Sequence, residues 1–94
     1  MLKYLMFPMP GLHFDNFAER VMPWMEQWEL QLHERQCDAD LHSWRVLFEG
    51  APLLLRGDHY TECVWLEALD PEGCDVLAYL AGRMPQAQKI AVEE

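Results

Sequence analysis

The densest group of chemically capable side chains is Asp58-His59-Tyr60, with Glu62 two residues further on. An imidazole next to carboxylates can move protons when a pocket holds the groups at hydrogen-bond distance. Asp and His are also ordinary turn residues. No Gly-rich phosphate loop, nucleophile elbow or paired catalytic motif accompanies them. Two further spacings, His33-x-x-x-Cys37 and His59-x-x-x-Cys63, bring zinc to mind because imidazole and thiolate ligate it well. A spacing of four joins two ligands on a helix but separates them by about 13 Å in an extended strand. The elements that carry these residues therefore decide whether any of this chemistry can operate.

Those elements are legible in the periodicity. Phe17, Val21, Trp24 and Trp28 recur at helical spacing and predict a helix over 16–28. Asn16 and Glu19 have the spacing of a capping box, and Pro23 predicts a kink or a shortened helix. The period then changes to two. Trp28, Leu30 and Leu32 alternate with Glu29, Gln31 and His33, and Trp44, Val46 and Phe48 alternate with Arg45, Leu47 and Glu49, which is the pattern of half-buried strands. A Gly50-Ala51 hairpin loop leads into Pro52–Arg56, and a turn over 57–61 leads into Glu62–Ala68. Asp70 then caps, Pro71 occupies the first helical position, and a helix runs to about Arg83.

The expected fold is an α+β two-layer sandwich of order αββββα: a four-stranded antiparallel meander with two helices on one face. Residues 2–7 are a candidate extra edge strand at the N-terminus. Residues 1–85 form one domain, followed by a mobile polar C-terminal tail over 86–94. On this map His59 and Cys63 lie either side of a turn and do not share a metal. No metal and no cofactor are expected.

Pairing Phe48 with Leu53, Leu55 with Val64 and Trp28 with Phe48 makes every inward position apolar. The opposite, helix-free face then carries the rows Glu29, Leu47, Leu54, Trp65 and Gln31, Arg45, Arg56, Cys63. Three adjacent apolar side chains there, one a Trp, form a patch of the kind that marks an interface. Arg45 beside Arg56 would either receive a partner's carboxylate or pair with Glu29, Glu49 or Glu67. The candidate partner-binding residues are thus Leu47, Leu54, Trp65, Arg45 and Arg56. The alternative ligand site is Asp58, His59 and Glu62.

Composition narrows the classes. The 94 residues carry 7 Lys and Arg against 16 Asp and Glu, a net charge of −9, which argues against binding nucleic acid. Residues 29–75 alone hold 11 acids and 3 Arg. Leu, Ile, Val and Phe number 24, enough for a core, and size scaling predicts about 5,700 Å² of folded surface. The apolar runs are too short to span a membrane, and the N-terminal segment, broken by Lys3, Pro8 and Pro10, lacks the pattern of a secretory signal. Three cysteines, none in a CxxC motif, fit a reduced cytoplasmic protein.

The run Trp44-Arg45-Val46-Leu47-Phe48-Glu49-Gly50, with Val64-Trp65-Leu66-Glu67, resembles a small uncharacterised gammaproteobacterial domain-of-unknown-function family. The resemblance covers most of the chain and implies a bacterial cytosolic protein, with no chemistry attached. The combined expectation is a non-enzymatic protein-interaction domain, homodimeric through the helix-free sheet face. The alternative is a small enzyme or ligand-binding protein that uses the His/carboxylate loop.

Overall fold

The computed structural model describes residues 2–38, 41–84 and 88–91. Strand β1 (Leu2–Pro8) leads through a 3-10 turn (Phe14–Asn16) into helix α1 (Phe17–Gln27). Strands β2 (Leu30–Asp38), β3 (Leu41–Phe48), β4 (Ala51–Asp58) and β5 (Cys63–Ala68) follow, then helix α2 (Pro71–Arg83) and strand β6 (Gln88–Ala91). All pairings are antiparallel and the sheet order is β2-β3-β4-β5-β1-β6.

The α+β class and the meander stand, and the strand number is corrected from four to six. The N-terminal strand is not an edge. Its alternation of Leu5 and Phe7 with Tyr4 and Met6 lets it seat two apolar residues against Leu66 and Val64, and β6 then pairs with its other side. Of the 86–94 segment, Gln88–Ala91 therefore belong to the sheet, and its other residues lie outside those described.

Two loops sit one residue away from where spacing alone put them. Glu49 and Gly50 both have positive φ, 49° and 86°, so they are the central residues of a type I′ turn and Phe48 pairs with Ala51 rather than with Leu53. At the next turn Asp58 pairs with Cys63, and Leu55 faces Leu66 rather than Val64. Each register moves by two residues, which leaves every side chain on its expected face. Pro52 lies just beyond the last β4–β5 pair, Leu53 with Ala68, where its missing N–H costs the ladder nothing.

Trp28 caps α1 and does not open a strand; Leu30, not Trp28, faces Phe48. Asn16 does not box with Glu19: its side chain accepts from the His13 N–H at 2.7 Å and donates to the Gly11 carbonyl at 3.0 Å. Helix α1 continues past Pro23 to Gln27, burying Phe17, Val21 and Met25. An irregularity between Leu32 and Glu34 reverses the alternation of β2, so Arg35 faces Trp44 and lays its guanidinium 4.6 Å from the indole centroid. Helix α2 starts as expected, with the Asp70 carboxylate accepting from the Gly73 N–H at 2.7 Å and Pro71 at the first position.

Both helices place their buried residues in one cluster with the inward strand positions, among them Leu5, Val46, Leu53, Leu55, Val64 and Leu66. The accessible surface, 5754 Å², agrees with the size scaling.

Candidate functional site

The outward positions follow from the pairing. Leu47 lies between Gln31 and Pro52, Leu54 between Arg45 and Glu67, and Trp65 between Arg56 and Met6. The three apolar residues do not share a row. They step diagonally across β3, β4 and β5, one row further along on each strand, and Glu29 precedes β2 and takes no part. Diagonal neighbours stand roughly 7–8 Å apart, within reach of long and aromatic side chains. Met6 and Tyr4 extend the stripe onto β1; their alternation with Leu5 and Phe7 was the signal for this in the sequence. All of these side chains are half-buried. None of Met6, Leu47, Leu54 or Trp65 belongs to the core cluster or packs against it.

Arg45 and Arg56 occupy adjacent rows beside the stripe. Arg45 Nε lies 3.7 Å from Glu34 Oε2, with both side chains about 60% exposed, so Glu34 takes the place of Glu29, Glu49 and Glu67 as its acid. Arg56 Nε donates to Ser43 Oγ at 3.2 Å. Together with Gln36 and Leu54 these residues line a shallow depression of about 210 Å³.

The turn after β4 is built differently from a proton-transfer site. Asp58 accepts from the Tyr60 N–H at 3.0 Å and from the Thr61 hydroxyl at 3.2 Å, which is turn-forming chemistry. Glu62 Oε1 accepts from the Gly11 N–H at 2.8 Å, and its carbonyl accepts from the Met9 N–H at 2.8 Å, tying the segment after β1 to this turn. His59 touches neither carboxylate by hydrogen bond. Its ring lies 4.1 Å from Tyr60 and 6.4 Å from Phe14, and its Nδ1 is buried without a hydrogen-bond partner among the described residues.

A histidine that sequence reasoning did not single out, His42, is the better anchored one. It stacks on Phe17 at 4.4 Å with 8° between planes, and its Nε2 reaches the Phe14 carbonyl at 2.9 Å, which places the proton on Nε2. Leu12, His13, Phe14, Phe17, His42, Gly57 and His59 close around this point and leave no room for a water-sized guest. Cys63 Sγ contacts the Thr61 carbonyl, and the Cys37 side chain lies outside those described. Among the described residues no group of three or more His, Cys, Asp or Glu is arranged to hold a metal, and no helix is long and apolar enough to cross a membrane.

Residues 2–85 match the model of a family described as protein of unknown function, DUF3630. The chain belongs to the DUF3630 family. The match runs from β1 past the end of α2, so the whole outward stripe and both arginines fall within the DUF3630 domain. No curated protein and no solved structure matches the chain.

Proposed function

We propose that this DUF3630 domain is a non-enzymatic protein-interaction module that works in the cytoplasm and associates through its outer sheet face, most simply with a second copy of itself. Leu47, Leu54 and Trp65 form the apolar centre, and Arg45 and Arg56 the charged flank. One observation carries the reading: these apolar side chains are excluded from the core that both helices cover. An unclaimed stripe containing Trp is the usual composition of an interface centre.

Size is compatible. A stable interface needs about 800 Å² per partner. Six strands at about 4.8 Å spacing, in a molecule measuring 32 × 24 × 24 Å, give a face of that order once side-chain relief is added. The two free thiols among the described residues, Cys63 and Cys74, suit a reducing compartment. The loop reading is weaker because Asp58 and Glu62 are both engaged in backbone contacts.

Sedimentation of the native protein beside a Trp65→Asp variant tests the proposal. The parent is expected to sediment as a dimer, and the variant as a folded monomer with unchanged far-UV circular dichroism. A monomeric parent, or a variant that still dimerises, removes the homodimer reading.

A further inference from the structure

The depression between β2, β3 and β4 has a chemistry of its own. Its lining is Glu34, Gln36, Ser43, Arg45, Leu54 and Arg56. In a chain with 7 cationic residues against 16 acids, two guanidinium groups share one small concavity. Arg56 stands on β4 between Ser43 and Trp65, and the hydrogen bond from Nε to Ser43 Oγ fixes its plane. Its two terminal nitrogens make no hydrogen bond or ion pair among the described residues. A guanidinium held at Nε and open at both Nη positions is half of a bidentate carboxylate clamp already set in place.

Arg45 supplies the second charge. Among the described residues its only acid is Glu34, at 3.7 Å and with both side chains mostly exposed, a contact of the class that holds weakly and yields readily to a competitor. Leu54 in the lining and Trp65 opposite Arg56 provide apolar surface for whatever chain bears the incoming group. A polyanion suits this place poorly. Glu34 stands in the lining, and the net charge of −9 repels multiply charged ligands over distance. A single carboxylate carries the least charge that still satisfies the fork.

We propose that the Arg45–Arg56 depression recognises one carboxylate on a partner protein: an Asp or Glu side chain next to an apolar residue that lies on Leu54 and Trp65. Glu34 is the resident competitor that this carboxylate displaces from Arg45. The proposal rests on the outer face being an interaction surface, and it names the chemistry of what binds there.

The test is an NMR titration of isotopically labelled protein with N-acetyl-glutamate N-methylamide, with inorganic phosphate and N-acetyl-lysine N-methylamide run in parallel. Saturable shifts are expected at the Arg56 Nε–H and at the Ser43 and Leu54 amides with the glutamate probe. Arg56→Gln should weaken binding about tenfold, the loss for one charge-assisted pair. Glu34→Gln should strengthen it about two- to threefold, because it removes the competitor. No saturable shift, an unchanged affinity in Arg56→Gln, weaker binding in Glu34→Gln, or tighter binding of phosphate would each overturn the proposal. The two readings fail separately: a parent that sediments as a monomer yet titrates in this way loses the homodimer and keeps the carboxylate site.

Discussion

The ring of Phe17 fills the space where Gly57 would carry a side chain. A Cβ built on Gly57 falls 2.1 Å from Phe17 Cε1 and 2.8 Å from Cδ1. The first helical residue of α1 thus rests directly on the backbone of β4, and the closeness of that contact sets how helix and sheet meet. Gly57→Ala should force the ring aside and cost about 1–3 kcal/mol, the range for overpacking a filled core. For a domain of this size that lowers Tm by about 4–8 °C per kcal/mol. Thermal unfolding of Gly57→Ala, Phe17→Leu and the pair checks it: the smaller side chain should make Gly57→Ala less damaging, so the double variant is more stable than the sum of the single changes predicts.

Gly57 also marks where the sequence stopped being readable. In Arg56-Gly57-Asp58 a glycine between charged residues reads as a turn, whereas here it is buried within β4. The reason is a ring forty residues earlier, and no local pattern records a contact at that separation. Over β3, β4 and β5 local alternation did specify which side chains face inward, because a register error of two residues cannot change a face. The rows across the sheet were not readable in the same way. They depended on the Glu49-Gly50 turn taking two positive φ values and on a break in alternation at β2. For the candidate surface, Leu47, Leu54 and Trp65 were legible as outward residues. Their diagonal arrangement, the Glu34 partner of Arg45 and the extension onto Met6 all required the pairing.

His42 performs two separable tasks. It stacks on Phe17 and donates to the Phe14 carbonyl, which holds the 3-10 turn against the sheet. His42→Phe keeps an aromatic face and loses the hydrogen bond, for an expected cost of about 1 kcal/mol. His42→Ala loses both and should cost about 1 kcal/mol more. Urea midpoints at constant m-value distinguish the two; equal midpoints would mean that the stack contributes nothing.

The start of α2 depends on Asp70. Its carboxylate satisfies the Gly73 N–H at 2.7 Å, and no other side chain among the described residues does so. Asp70→Ala should destabilise the domain by about 1 kcal/mol, while Asp70→Ser, which keeps an accepting oxygen, should lose only a fraction of that. Denaturant unfolding of the two variants side by side is sufficient to check it.

Glu62 separates a structural role from a chemical one. Its carboxylate accepts from Gly11 at 2.8 Å, and its own backbone sits at φ 52°, a left-handed conformation that costs a non-glycine residue about 1 kcal/mol. Glu62→Ala removes the hydrogen bond and keeps the strained backbone. Glu62→Gly removes the hydrogen bond and relieves the backbone. The positive φ should make Ala less stable than Gly by about 1 kcal/mol, and if the carboxylate acts as a latch on the segment after β1, both variants should lose hydrogen-exchange protection at the Gly11 amide. Unchanged protection at Gly11 in both variants would show that the latch carries no load, and would return this carboxylate to the pool available for chemistry beside His59.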